Sequence, residues 1–239
     1  EWLLVGQAGL GAGVGGHHPA HFPLLSDATA ESVRGRAYSI HGFAGSVGFA
    51  APPVVILAVT ALSGTSWRHA VGLIAVVSVL YGAVACYVLL YHVSDDVTRP
   101  NPNRDEARSG ASSRLERLVA ELRALARSPS ILALGAVTLL AATSFWGFTS
   151  FVVVFLEGGY GVSSGFAGLT LTAMFVVGAG LILAGGSLAD RFSSGPVLAG
   201  AYVLVGLFTL VLASSVAPPV TAVGLAVLAG SMGSLGSPA

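Results

Sequence analysis

The chain has 239 residues, of which 54% are hydrophobic and 9% are charged, and its mean hydropathy is +0.82. Soluble globular domains carry about 25% charged residues, so this composition excludes an ordinary soluble fold. Acidic and basic residues balance at eleven each, which gives no support for a nucleic-acid partner. The single cysteine, Cys86, excludes an intrachain disulfide.

Seven apolar segments follow one another along the chain, each long enough to cross a bilayer, which takes about 20 residues as a helix. Because lipid offers no hydrogen-bond partners, such segments are expected to be helical. The sequence therefore predicts an all-α, polytopic transmembrane helical bundle. The predicted spans are 1–25, 38–62, 70–92, 131–156, 166–188, 196–215 and 219–239. The chain lacks an initiator Met and its end spans are interrupted, so we expect a piece of a longer protein.

The eleven basic residues are all arginines, and ten of them fall on alternate links between spans: 26–37, 93–130 and 189–195. Only Arg68 belongs to a link on the opposite side. Positively charged loops stay on the cytoplasmic side. The pattern thus predicts a multi-pass protein of the cell (plasma) membrane, with these three links in the cytoplasm.

The long link divides the chain into three predicted parts. These are 1–93, 94–130 and 131–239, and the middle part contains a predicted amphipathic helix at 113–127. Ser113 and Glu116 have the spacing of a capping box, and leucines form an apolar stripe behind them. Such a helix either lies in the membrane interface or packs on the cytoplasmic ends of the bundle.

The segment Gly185-Gly186-Ser187-Leu188-Ala189-Asp190-Arg191-Phe192 resembles the Gly-x-Leu-Ala-Asp-Arg signature of the major facilitator superfamily. In that family the signature lies in the cytoplasmic loop between helices 8 and 9. Arg34-Gly35-Arg36, preceded by Pro19 and Asp27, is similar to the turn between helices 4 and 5, and the glycine-rich run 42–52 is similar to helix 5. The chain is therefore identified as a partial member, with about seven of twelve helices, numbers 4 to 10.

The resemblance implies site residues as well as a fold. Gly185, Leu188, Asp190 and Arg191 would form the gating loop, and Asp27, Arg34 and Arg36 would belong to the cytoplasmic loop between helices 4 and 5. The parts 1–93 and 131–239 would be the end of an N-terminal six-helix bundle and the start of a C-terminal one. His18-Pro19 resembles the fosmidomycin-resistance efflux branch of the family.

Three places depart from the family's patterns. Ser193-Ser194-Gly195 replaces the usual glycine and basic residues after the signature, and Gln7 stands near the position of a helix 4 arginine. Ala51-Pro52-Pro53 lacks the paired glycines of the antiporter pattern. The direction of transport therefore stays open on this evidence.

Histidines are concentrated in the first two predicted spans. If the first span is one continuous helix, Gln7, His17, His18 and His21 share a face about 100° wide, and His41 follows in the next span. Polar residues in membrane helices usually face the interior or a water-filled cavity, and histidine exchanges protons near neutral pH. These residues are candidates for the substrate or proton pathway; alternatively, they are hydrogen-bonding groups that join helices. His17 and His21 could also ligate a metal at i, i+4, but the necessary companion ligands are missing, so we predict no metal.

The fourth predicted span has a polar stripe of its own. Thr138, Trp146 and Thr149 lie on it and are further pathway candidates, with Phe145 able to stack on a ligand. Ser231, Met232 and Ser234 of the last span are similar. Interhelical hydrogen bonds and aromatic packing would explain both sets equally well.

These features together predict a secondary active transporter that moves a small solute by alternating access, with proton-coupled efflux as the leading hypothesis. Import by the same family is the alternative, followed by a seven-helix receptor. A retinal protein is excluded because the chain has no lysine, and a rhomboid-type hydrolase is disfavoured because Val162-Ser163-Ser164-Gly165 lacks the first glycine of its motif. We expect no enzyme activity and no cofactor. The expected partners are the lipid bilayer, a small-molecule substrate and protons, with a monomer at full length.

Overall fold

The computed structural model describes residues 2–15, 17–30, 33–93 and 114–236, and within them it is helical without strands. The predicted linker and Ser113 of the predicted capping box lie outside these residues. The helices are α1 (Trp2–Gly15), α2 (His17–Ala28), α3 (Arg34–Thr60), α4 (Trp67–Tyr91), α5 (Arg114–Arg127), α6 (Pro129–Tyr160), α7 (Ser164–Phe192), α8 (Ser194–Ala213) and α9 (Pro219–Met232), followed by a 3-10 turn at Gly233–Gly236.

Six helices of the described part are long and apolar enough to cross a membrane: α3, α4, α6, α7, α8 and α9 with its 3-10 turn. They match the last six predicted spans, and the all-helical membrane fold is confirmed. The first predicted span falls in α1 and α2, on either side of Gly16, which is not described.

Two predicted links are shorter than expected. The helix α6 continues to Tyr160, where Gly161 ends it with a left-handed φ of 66°, a conformation that glycine adopts without strain. The helix α7 continues through Phe192, so only Ser193 separates it from α8. The prediction of a loop at 189–195 was wrong, because apolar and small residues extend the helical pattern past the charged pair at 190–191.

The core lies among α6, α7, α8 and α9. Its fully buried members include Leu156 and Met174 together with the alanines Ala167, Ala222 and Ala226. Alanine lets helix backbones approach closely, which is the usual way in which membrane helices pack. The Tyr160 hydroxyl, at the end of α6, donates a hydrogen bond of 2.5 Å to the carbonyl of Leu212 in α8.

The helix α3 crosses to this four-helix group and runs antiparallel to α7. Leu57 lies against Gly165 and Gly168 at one end, and Gly42 lies against Ile182 at the other. Between them, the Thr172 hydroxyl donates a 3.3 Å hydrogen bond to the carbonyl of Ala50. The two helices therefore stay in contact over most of the length of α3.

The helix α4 has a different environment. Ala70 is its only buried residue, and its large valine, leucine and tyrosine side chains are exposed along the whole length. A helix that is apolar on all sides is typical of a lipid environment. Its first turn is closed by a capping box, in which the Ser66 backbone N–H donates to Nδ1 of His69 at 3.0 Å.

Candidate functional site: a cavity between α3 and α6–α9

A cavity of about 450 Å³ lies where α2 and α3 face α6, α7, α8 and α9. Pockets for small molecules usually measure about 300–1,000 Å³, so its size suits a small solute. Its aromatic lining residues are Phe22, Phe49, Phe145, Phe148, Phe175 and Tyr202. Its other polar lining residues are His41, Ser46, Thr138, Ser144 and Ser234.

The rings on the two sides of the cavity touch one another. Phe49 of α3 stacks on Phe175 of α7, with centroids 5.4 Å apart and planes inclined by 25°. Phe49 also meets Trp146 of α6 edge to face at 5.9 Å, and Phe145 meets Phe175 in the same way at 6.1 Å. These four residues form what we call the aromatic cluster, and it joins α3 to α6 and α7.

His41 brings an imidazole to the cavity, and the ring of His21 lies beside it. The two centroids are 4.5 Å apart with planes inclined by 37°. On its other side, the His21 ring lies 4.3 Å from Phe22, which also lines the cavity. The structure thus pairs two predicted pathway residues from different helices.

The predicted residues of α6 divide into two groups. Thr138 lines the cavity, whereas Trp146 and Thr149 are not among its lining residues. The Thr149 hydroxyl donates to the carbonyl of Phe145 in its own helix, at 2.9 Å. Trp146 is 54% exposed and contributes to the site through the aromatic cluster.

The side chains of Gln7, His17 and His18 lie outside the described residues, so the predicted shared face cannot be followed beyond His21. The alternative of a metal held by His17 and His21 depends on the side chain of His17, which lies outside the described residues. Within the described part, no group of three His, Cys, Asp or Glu residues is placed to hold a metal ion.

The predicted gating residues lie in the last two turns of α7. Gly185 is buried, and a Cβ there would lie 2.9 Å from the carbonyl carbon of Leu235 in the 3-10 turn. Leu188 and Arg191 are exposed, while the side chain of Asp190 lies outside the described residues. Gly185 is therefore a point at which α7 packs closely against the 3-10 turn.

The predicted residues between α2 and α3 lie at the other helix ends. Asp27 is exposed near the end of α2, and Arg36 is exposed in the first turn of α3. Arg34 is half-buried, and within the described residues its Nε has no hydrogen-bond partner.

Several cavity residues were not found from the sequence. Phe49 and Phe175 sit in long apolar runs, where nothing in the pattern distinguishes a phenylalanine that lines a cavity from one that faces lipid. Tyr202 offered a usable signal, because a hydroxyl in the middle of an apolar span usually faces the protein interior. Ser46 offered the same signal within the glycine-rich part of α3.

One family model matches the chain. It is described as Major Facilitator Superfamily, and the match covers residues 1–239. No curated protein and no solved structure matches the chain.

Proposed function

Since the chain belongs to the Major Facilitator Superfamily, a family of membrane transporters, we propose that it is part of a secondary active transporter of the plasma membrane that works by alternating access. Its cargo is a small solute, and its full-length form is a monomer. Efflux driven by proton entry is the mode that we favour. We also assign it to the fosmidomycin-resistance-like branch, on His18-Pro19; this assignment does not name the substrate.

The cavity carries this proposal. It lies between α3, which we assign to the N-terminal bundle, and α6–α9, which we assign to the C-terminal bundle. A site between two bundles can be exposed to either side of the membrane when one bundle rocks against the other, and binding sites of transporters lie at such repeat interfaces near the midplane.

The contact between α3 and α7 supports the same mechanism. It is long but largely apolar: small residues such as Gly165 and Gly168 meet Leu57, and a single hydrogen bond, from Thr172 to Ala50, is seen between the two helices in the described part. Few polar contacts would have to break for the helices to change their angle. The aromatic cluster would separate or slide in the same motion.

His41 and His21 are our candidates for proton coupling. Their rings lie side by side, the Tyr38 hydroxyl donates to the carbonyl of the neighbouring Phe22 at 3.4 Å, and Tyr202 lines the same cavity as His41. A proton on one imidazole places a charge 4.5 Å from the other ring and beside an aromatic wall. The arrival of this proton would change the contact between α2 and α3.

For the cytoplasmic gate we propose the end of α7. Leu188 and Arg191 are exposed on its last two turns, Asp190 belongs to the same turns, and Gly185 packs these turns against the 3-10 turn after α9. Movement of the C-terminal bundle would therefore carry this helix end with it. Asp27, Arg34 and Arg36 lie at the ends of α2 and α3, on the same predicted side of the membrane.

The test is transport by the full-length protein in proteoliposomes with an imposed pH gradient. We expect solute and protons to cross the membrane in opposite directions. A trapped pH dye measures the entry of protons. Movement of solute and protons in the same direction would favour the importer. Absence of both flux and binding-dependent proton movement would contradict transport and would reopen the receptor hypothesis, which no structural observation favours.

A further inference from the structure

The described lining of the cavity is uncharged apart from one imidazole and is rich in aromatic rings. None of its described lining residues is Asp, Glu, Lys or Arg, although the chain has 22 such residues in all. Six lining residues carry aromatic rings, from both sides of the cavity. The polar groups that remain are hydroxyls and one imidazole.

From this chemistry we infer that the cavity takes an uncharged, planar aromatic compound with one or two hydrogen-bonding groups. The inference rests on the proposed function, since it names the substrate class of the same site. The stacked pair Phe49 and Phe175 is the platform on which the ligand ring lies.

With the imidazole of His41 neutral, the described lining residues offer no charge to pair with an ionic ligand, which argues against one. An ion loses its hydration when it enters an apolar cavity, and it recovers that free energy only from a paired charge or several hydrogen bonds. Aromatic faces do attract cations, but the described lining offers no carboxylate to complete such a site. A neutral ligand avoids this cost.

The geometry of the rings argues for a planar ligand. Phe49 and Phe175 stack on each other with planes inclined by 25°, and the Phe49 side chain keeps 49% of its surface exposed. Phe145 stands at 73° to Phe175 and presents its edge. A flat ring beside this pair would therefore gain both an offset-stacked and an edge-to-face contact, the two favoured aromatic arrangements.

The hydroxyls indicate what the rest of the ligand carries. Thr138 and Ser144 of α6 line the cavity and are exposed in it. A hydroxyl both donates and accepts, so it suits a phenol, an amide or a carbonyl without requiring a charge. His41 also lines the cavity.

The experiment compares four probes that differ little in shape. They are 2-naphthol, 2-naphthoate, 2-naphthylmethylammonium and decahydro-2-naphthol, and each competes with tritiated 2-naphthol for the full-length protein in nanodiscs. Empty nanodiscs correct for partition into lipid. We expect the anion and the cation to bind at least about tenfold more weakly than 2-naphthol, and the saturated alcohol to bind about three- to tenfold more weakly. Equal or tighter binding of either ion, or of the saturated alcohol, would overturn the inference.

Two variants locate the binding. Phe49→Leu should weaken 2-naphthol binding about three- to tenfold and should leave decahydro-2-naphthol nearly unchanged. Phe49 is 49% exposed, so the replacement should not prevent folding. The control is Phe166→Leu on α7, where the ring is 61% exposed and lies away from the cavity. Equal losses in both variants would contradict the assigned platform.

This binding assay uses no gradient and is independent of transport. If 2-naphthol binds with the expected selectivity but no gradient drives its flux, the substrate class stands and the proposed transport mode fails. If a gradient drives flux of the naphthyl cation in preference to 2-naphthol, the transport mode stands and the inferred substrate class fails.

Discussion

The imidazole rings of His21 and His41 lie 4.5 Å apart, one on α2 and the other on α3, at the edge of a cavity with an uncharged lining. A proton on His41 would be the only charge among the described lining residues of this cavity. Its electrostatic interaction with a ligand in the cavity would therefore be strong, because charges in an apolar environment interact more strongly than in water. This relationship makes the pair the most direct place to test proton coupling.

We predict that His41→Gln abolishes accumulation driven by a pH gradient but leaves gradient-free exchange of solute within about threefold of the parent rate. Glutamine keeps hydrogen-bonding capacity but cannot take up the proton. The measurement is uptake into proteoliposomes with and without the gradient.

The control for this prediction is His92→Gln. His92 ends α4, where its ring contacts Tyr87 at 5.2 Å, and it does not line the cavity. Gradient-driven uptake should survive this change. If it survives His41→Gln as well, the histidine pair does not couple protons to transport.

A second prediction concerns the close approach of α7 to the 3-10 turn. Gly185→Ala would place a methyl group 2.9 Å from the carbonyl carbon of Leu235 and still nearer to its oxygen. Because the obstacle is backbone, it cannot rotate away, and we expect a loss of about 1–3 kcal/mol in the free energy of unfolding. Reversible unfolding in mixed micelles would measure it.

Gly180→Ala is the matched control on the same helix. A Cβ at Gly180 meets nothing within 4 Å, so alanine should raise the free energy of unfolding by up to about 1 kcal/mol through its helix propensity. A Gly185→Ala protein that is as stable as the parent but does not transport would instead favour a role for Gly185 in gating.

A third prediction concerns the single residue between α7 and α8. Ser193 has φ 64° and ψ 157°, a region that is essentially restricted to glycine and costs other residues about 1–3 kcal/mol. Ser193→Gly should therefore raise the free energy of unfolding by about 1 kcal/mol, after allowing for the greater flexibility of glycine when unfolded. Thermal unfolding in one detergent would compare the two proteins.

Ser215→Gly provides the comparison for Ser193→Gly. Ser215 also has a positive φ, 55°, but lies after α8. A gain at Ser193 that is no larger than the gain at Ser215 would show that the backbone at Ser193 is not specially strained.

The sequence predicted the membrane helices well because their signal is the length of an apolar run. The prediction of 38–62 corresponds to α3 at Arg34–Thr60, and 131–156 corresponds to α6 at Pro129–Tyr160. The helix ends were less predictable. Arginines and small residues at the ends of α3 and α7 do not raise the hydropathy, so the predicted spans stop before them. The helices nevertheless continue through these residues.

The cavity was only partly predictable, because it depends on which faces of different helices meet. His41 and Thr138 were found as polar residues in apolar spans, but nothing in their spacing paired His41 with His21. Phe49 and Phe175 are separated by more than a hundred residues in the chain, and only the antiparallel contact of α3 with α7 brings their rings together. Thr149 lies on the same predicted polar stripe as Thr138, but it does not line the cavity, and its hydroxyl donates to a carbonyl of its own helix.

The two threonines of α6 supply the last prediction. Valine has nearly the shape of threonine and lacks the hydroxyl, so Thr138→Val should remove a hydrogen bond to the ligand and weaken 2-naphthol binding about two- to tenfold. Thr149→Val removes only bonds to the Phe145 and Trp146 carbonyls within its own helix and should leave binding unchanged. Competition binding in nanodiscs measures both. If Thr149→Val weakens binding as much as Thr138→Val, the ligand does not lie in the cavity that Thr138 lines.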